Sequence, residues 1–191
     1  LGYLTGLARL HPVAHAYFRQ AAEAGRGAND PDGVAYAFTT EAVYRLCLCE
    51  WQLAERAAQE ALAIQVANAN AMEVELLHTI LGHIEYFTGR FAASRRRFQA
   101  LHDTATRRHH EQHRAWGLYA MARCDLAEGR EEAALPLLCE SELLLAKLSD
   151  EASELIVDGL FVTAHIALGD LAAAESRAER IARRIDRLHV P

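Results

Sequence analysis

Residues Leu76–Ala105 read LLHTILGHIEYFTGRFAASRRRFQALHDTA, and this stretch predicts two amphipathic helices joined at Thr88-Gly89-Arg90. In the first helix, apolar side chains recur at the i, i+3, i+4, i+7 spacing of one buried helical face. They are Leu77, Ile80, Leu81, Ile84 and Phe87. In the second helix, Phe91, Phe98 and Leu101 form a similar stripe. Gly89 falls where the first helix ends and the chain needs a positive φ, which glycine adopts without steric cost.

The same pattern returns along the rest of the chain. Gly89 is followed by Gly129 and Gly169, since 129 − 89 = 169 − 129 = 40. Two helices that cross at close range need small residues, and these stand four places into each second helix. They are Ala14, Ala54, Ser94, Ala134 and Ala174. Apolar or small residues fill two further registers, namely Phe18, Ala58, Phe98, Leu138 and Ala178, and then Ala21, Ala61, Leu101, Ser141 and Ile181. Such self-similarity is typical of a solenoid of stacked helix pairs.

Boundaries of the predicted helices follow from turn-forming residues. Gly25–Gly33 is the clearest predicted loop, because glycine, asparagine, aspartate and proline crowd together there. Pro136 predicts that its helix either starts late or kinks in its first turn. Leu1–Leu10 reads as the end of a first helix. Because the sequence opens in mid-helix without methionine, we expect residues 1–191 to be a single repeat domain within a larger protein.

Several of these positions resemble the tetratricopeptide repeat. Residues of the central repeat stand at the offsets of that consensus, namely Gly82, Gly89, Phe91, Ser94, Phe98 and Leu101. The 40-residue period departs from the ~34 residues of that family, and it is similar to the tetratricopeptide-like arms of large bacterial signalling ATPases. Some of those arms are linked to LuxR-type DNA-binding domains and others to nucleotide cyclases. The resemblance implies an all-α, right-handed superhelix of about five antiparallel helix pairs, acting as a sensor or interaction module.

Composition argues against several functions. A net charge of −6 is unfavourable for a nucleic-acid-binding surface, and the arginines at 95–97 and 177–187 read as solvated helix faces. No apolar run reaches the ~18 residues of a membrane span. The four cysteines form no CxxC pattern and read as buried thiols in a reducing cytoplasm; they are Cys47, Cys49, Cys124 and Cys139.

Neither catalysis nor cofactor binding is predicted. The sequence contains no GxxxxGK[ST], GxSxG or GxGxxG motif. His109 and His113 have the i, i+4 spacing of two zinc ligands, with Glu111 between them. Three nearby arginines oppose a cation, so we interpret this segment as a solvated turn with no metal. We therefore expect no enzyme activity.

The tetratricopeptide resemblance also implies where a partner would bind, since the first helix of each pair lines the concave face in that family. The ligand- or partner-binding residues predicted by these offsets are Tyr36, Thr39, His83, Tyr86, Trp116, Tyr119, Arg123 and Thr163. Aromatic rings with one arginine suit a peptide or an acidic small ligand, while the alternative is that these residues only pack. We expect a protein, peptide or effector partner, and no contact with nucleic acid or membrane. The alternative function is a self-associating scaffold, with homodimers formed through exposed end repeats.

Overall fold

The structure, a computed structural model, describes residues 11–188. These residues form nine α-helices and no strand, and Leu1–Leu10 lies outside them. The helices are α1 (His11–Gly27), α2 (Pro31–Cys47), α3 (Trp51–Ala67), α4 (Ala71–Phe87), α5 (Phe91–Arg107), α6 (Glu111–Ala127), α7 (Glu131–Leu148), α8 (Glu151–Ala167) and α9 (Leu171–Leu188). The predicted all-α helical-repeat fold is confirmed. No helix of the described part combines the length and the apolar character that a membrane span needs.

Successive helices begin at a constant interval. The first starts at His11 and the second at Pro31, and every later helix also starts 20 residues after the one before it (31 − 11 = 20). The 40-residue sequence repeat is therefore a pair of such steps. We call α2, α4, α6 and α8 the A helices, and α1, α3, α5, α7 and α9 the B helices. Positions are counted from the first residue of each helix.

Each of the helices α1 to α8 ends in the same kind of turn. The residues with positive φ are Asn29, Cys49, Ala69, Gly89, His109, Gly129, Ser149 and Gly169, one in every 20-residue step. The following amide donates to the carbonyl five residues earlier, as Arg90 does to Glu85 at 2.8 Å and Arg130 does to Asp125 at 2.9 Å. This is the Schellman ending, which satisfies carbonyls that the helix leaves open. The positive φ predicted at Gly89 is confirmed, at 76°.

Exchanging glycine and alanine at these turns should change stability in opposite directions. Ala69→Gly should raise the free energy of unfolding by about 0.5–1 kcal/mol, because alanine is strained at its φ of 54°. Gly129→Ala should lower it by about 1 kcal/mol, since the only obstacle there is the φ of 70°. Urea unfolding followed by far-UV circular dichroism measures both. Gly27→Ala, the same change at a helical glycine, should cause no loss; a destabilised Ala69→Gly protein would contradict the argument.

The connection predicted at Gly25–Gly33 exists but is much shorter than predicted, because only residues 28–30 lie between the two helices. Helix α1 continues to Gly27, and α2 already begins at Pro31, where the missing N–H of proline costs nothing. The Asp30 carboxylate caps α2 by accepting the Gly33 amide at 3.0 Å. Gly25 is buried, and a Cβ there would lie 2.9 Å from Val34 Cγ2. These glycines serve close packing and capping. The late start considered for the helix of Pro136 is wrong, because α7 begins at Glu131.

The chain divides into two compact units, Leu1–Arg90 and Phe91–Pro191. In the first, alanines of α2 and α3 pack against Leu77, Ile80, Leu81 and Ile84 of α4. In the second, Phe98, Leu138 and Phe161 are the centre of the core. The small residues predicted at position 4 of the B helices are all buried, as are the predicted apolar residues of α4 except Phe87. Phe87 is exposed and stacks on Trp51, with ring centroids 5.4 Å apart.

Candidate functional site

All eight predicted binding residues fall on one register of the A helices. Positions 6, 9, 13 and 16 are separated by three or four residues, so they share one face of each helix. We call this face the A stripe. Its residues are Tyr36, Thr39, Val43 and Leu46 on α2, Leu76, Thr79, His83 and Tyr86 on α4, Trp116, Tyr119, Arg123 and Leu126 on α6, and Ile156, Gly159, Thr163 and Ile166 on α8.

In the first unit, α2 and α4 contact each other directly, so their A stripes are neighbours. Tyr36 is 70% exposed. Thr39 is buried, and its hydroxyl donates to the Ala35 carbonyl at 3.0 Å. His83 and Tyr86 are half-buried on α4, and the Tyr86 ring lies edge-on to Phe87 at 5.4 Å. Tyr36 therefore offers the most open contact surface among these four residues.

In the second unit, the polar atom of Trp116 in the predicted groove forms hydrogen bonds with other residues of the chain. Trp116 on α6 donates its indole N–H to Ser153 Oγ at 3.1 Å and to Asp150 Oδ2 at 3.4 Å. Asp150 is the N-cap of α8 and also accepts the Ser153 amide at 3.1 Å. Burial raises the pKa of Asp150, but hydrogen bonds from Ser153, Gln112 and Trp116 outweigh it, so the pKa lies below its ordinary value. Trp116 thus holds the start of α8 in place and leaves only part of its ring on the surface.

Tyr119 lies beneath this surface. It is buried in the core of the second unit, and its burial raises the pKa of the phenol although the charge of Arg123 opposes the shift. Arg123 itself is half-buried one turn further along α6. Tyr119 and Thr39 therefore face packing neighbours more than solvent, as the alternative interpretation of the groove expects.

The open part of the second unit's A stripe lies on α8. Ile156 is 47% and Ile166 is 56% exposed, and Thr163 between them is also exposed. A Cβ on Gly159 would have no neighbour within 4 Å, so the space beside this glycine is open. We call Ile156, Gly159, Thr163 and Ile166 the α8 surface. Only Thr163 was predicted, although the same register identifies the other three.

Sequence patterns did not predict a buried carboxylate with three arginines. Asp158 on α8 is fully buried; it accepts Arg177 Nη1 at 2.9 Å and Arg180 Nε at 3.0 Å, and Arg184 Nη1 lies 3.8 Å away. Arg177 and Arg180 also bind Glu142 of α7. The Arg177 guanidinium stacks over the Phe161 ring at 3.9 Å. We call these residues the Asp158 cluster, and it ties α7, α8 and α9 together.

Asp125 on α6 forms a second buried ion pair. It accepts Arg95 Nε of α5 at 2.8 Å and Arg130 Nε at 3.1 Å. The interpretation of the arginine groups as solvated is therefore wrong for Arg95, Arg177 and Arg180, whose guanidinium groups bind buried carboxylates. Arg183 does make the predicted kind of exposed i, i+4 pair, with Glu179 at 3.2 Å.

The histidine and cysteine predictions also need correction. His109 does not share a helix face with His113, because it has a φ of 55° and lies in the turn before α6. His110 is the residue whose ring approaches His113, at 4.0 Å between centroids. Cys47, Cys49 and Cys139 are exposed, and of the four thiols only Cys124 is buried, as predicted. Burial raises the pKa of Cys124, whose thiol donates to Ser94 Oγ at 3.3 Å.

The sequence matches no protein-family model, and no match is found among curated proteins.

Proposed function

We propose that this chain is a non-catalytic helical-repeat module that binds a protein or peptide on the α8 surface of its second unit. The observation that carries the proposal is the pair of exposed isoleucines, Ile156 and Ile166, at positions 6 and 16 of the A stripe. On α6 the same positions are half-buried, because α8 packs beside α6. The α8 surface is therefore an apolar helix face in the register by which the A helices contact one another.

A peptide or protein suits this surface better than a compact small ligand. The two isoleucines are ten residues apart on one helix (166 − 156 = 10), which corresponds to about 15 Å at 1.5 Å per residue. An extended or helical segment can cover both, and each buried isoleucine is worth about 1.5–3 kcal/mol. The open space beside Gly159 leaves room for a side chain of the ligand between them.

The resemblance to tetratricopeptide-like arms supports a regulatory setting. We propose that the module belongs to a bacterial signalling or transcription-regulatory protein, in which a partner or effector bound to the A stripe changes the behaviour of a neighbouring domain. Arg123 would contribute positive charge on the second unit, and Tyr36, His83 and Tyr86 would form a separate contact surface on the first.

Binding is tested with a phage-displayed random peptide library selected on the immobilised chain. We expect enriched peptides with at least two apolar residues. The double variant Ile156→Asp, Ile166→Asp should weaken their binding by about 10- to 100-fold in isothermal titration calorimetry, because each change removes an apolar contact.

The matched control is Leu143→Asp, since Leu143 is an aliphatic residue on α7 that is even more exposed than the two isoleucines, at 66%. It should leave the affinity unchanged. Failure to enrich any peptide, or equal binding by the double variant, would refute the α8 surface as the binding site. Far-UV circular dichroism of each variant checks that the helices are intact.

A further inference from the structure

The groove between α6 and α7 in the second unit holds a cavity of about 330 Å³. Leucines of α7 form its apolar side, and charged side chains of both helices form the rest. The lining residues that matter for binding are Leu144, Leu148, Glu111, Arg114, Glu140 and Lys147. We call this cavity the α6–α7 pocket, and no residue of the α8 surface lines it. Its volume lies at the lower end of the range of about 300–1,000 Å³ found for ligand sites, so it suits a small molecule.

Two other helix pairs show what leaves this groove open. Position 4 of an A helix and position 14 of the following B helix border the same groove. In α8 and α9 these are Glu154 and Arg184, and the long arginine side chain reaches the carboxylate. In α2 and α3 they are Val34 and Ile64, which line a cavity of about 360 Å³. Position 14 of α7 is Leu144, and a short side chain at this position therefore leaves the groove open.

Arg114 uses little of its capacity as a hydrogen-bond donor. A guanidinium group carries five N–H bonds, but among the described residues Arg114 donates one hydrogen bond, from Nη2 to Glu140. Its Nη1 atom lies 3.6 Å from Glu111, beyond hydrogen-bond distance. Its Nε atom is buried and has no partner in the described part of the chain. Two of the three nitrogens therefore lack an acceptor, and the guanidinium can take a further anion through Nη1.

Lys147 adds a second positive charge to the pocket. It is the only lysine in the sequence, and it lies one turn after Leu144 on the same side of α7. Its side chain is exposed and forms no ion pair with any residue that the structure describes. Arg114 on one helix and Lys147 on the other thus place two cations around one leucine-lined space.

We propose that the α6–α7 pocket binds a small monocarboxylic acid with an apolar body, such as a medium-chain fatty acid. The carboxylate lies between Arg114 and Lys147, where charge-assisted hydrogen bonds hold it. The body of the ligand covers Leu144 and Leu148. Because Leu148 is 42% exposed, covering it removes apolar surface from water.

The two glutamates of the pocket limit the charge of the ligand. Glu140 is bound directly by Arg114, so this pair is close to neutral. Glu111 is 46% exposed and makes only the loose contact with Arg114, so it can turn into solvent when a ligand carboxylate takes Nη1. Lys147 is then the one cation without a partner in the pocket. The pocket therefore accepts one negative charge.

Octanoate is the probe for this site, and the 191-residue chain is titrated with it by isothermal titration calorimetry. Acetate has the charge without the apolar body, and octylammonium has the body with the opposite charge. We expect octanoate to bind at least about tenfold more tightly than either. Absence of octanoate binding would overturn the proposal. Equal binding of octylammonium would overturn it too, because the pocket would then recognise apolar surface alone.

Variants of the lining residues locate the site. Arg114→Gln and Lys147→Gln should each weaken octanoate binding by about tenfold, since each removes a charged donor, whereas Lys147→Arg should keep the affinity. Glu111→Gln should strengthen binding by about threefold, because it removes the carboxylate that competes for Arg114 Nη1. Damage to the fold could not produce that gain. Arg183→Gln changes an exposed arginine of α9 and, as the control, should leave the affinity unchanged.

The single lysine provides an independent measurement. N-hydroxysuccinimidyl acetate acetylates exposed lysines, and mass spectrometry of the digested chain then reports on Lys147 alone. Octanoate at about ten times its Kd should slow this acetylation by about tenfold, because only the free chain reacts. Acetylation that octanoate does not slow, or octanoate binding that survives both Arg114→Gln and Lys147→Gln, would overturn the proposal. Far-UV circular dichroism confirms that each variant is folded.

Discussion

Asp158→Asn will lower the free energy of unfolding of the second unit by about 3–5 kcal/mol, the usual effect of removing one partner from a buried ion pair. Asp158 is fully buried and binds Arg177 and Arg180 directly. Asparagine keeps the shape but not the charge, so among the described residues the arginines would keep only Glu142 and Glu154 as acidic partners. Urea unfolding measures the loss. Fluorescence of Trp116 in a Trp51→Phe background reports on the second unit alone, since the chain has two tryptophans.

Glu142→Gln is the matched control, because Glu142 binds the same arginines from a position that is 27% exposed. It should cost about 1 kcal/mol or less. A similar loss for both variants would contradict the special role given to burial at Asp158.

Acidic pH should remove the contribution of Glu142 to the free energy of unfolding. Burial raises the pKa of Glu142, but the hydrogen bonds and charges of Arg177 and Arg180 outweigh it, so its pKa lies below the ordinary 4.5. A carboxylate with a lowered pKa stabilises the fold above its ordinary pKa and loses this effect as the pH falls through the lowered value. The difference between wild type and Glu142→Gln should therefore shrink below about pH 4.5.

The helix-pair repeat was predictable because three of its turns carry glycine. Gly89, Gly129 and Gly169 mark every second turn from Gly89 onward, so the visible period was 40 residues. The other turns place Asn29, Cys49, Ala69, His109 and Ser149 at positive φ. Residues other than glycine take this conformation only when the surrounding helices enforce it. The 20-residue step was therefore hidden from a search for turn-forming residues.

The Asp158 cluster was hidden for a different reason. Asp158 lies 19 residues from Arg177 and 22 residues from Arg180 along the chain. No local i, i+4 pattern therefore contains the carboxylate together with its arginines. For the predicted groove, the register of the residues was visible in the sequence, but their burial was not. Trp116 is partly covered because α8 packs beside α6, and Ile156 is exposed because no described helix covers that face of α8.

Gly117→Ala and Gly159→Ala will change stability in opposite directions, although both glycines lie inside A helices. Alanine normally stabilises a helix interior by about 0.5–1 kcal/mol relative to glycine. At Gly159 a Cβ has no neighbour within 4 Å, so this gain should be realised in full. At Gly117 the Cβ would lie 2.9 Å from His102 Cβ and 3.0 Å from the Phe98 carbonyl oxygen.

The cost at Gly117 should exceed the gain in helix propensity. One of the clashing atoms is a backbone oxygen of α5, so relief requires α5 and α6 to separate, and overpacking of this kind costs about 1–3 kcal/mol. We expect a net loss of about 1–2 kcal/mol for Gly117→Ala, measured by urea unfolding beside Gly159→Ala. Stabilisation by both variants would mean that α5 and α6 tolerate a methyl group at their crossing. A loss at Gly117 alone would establish that α5 and α6 are packed at their closest limit where Gly117 meets Phe98 and His102.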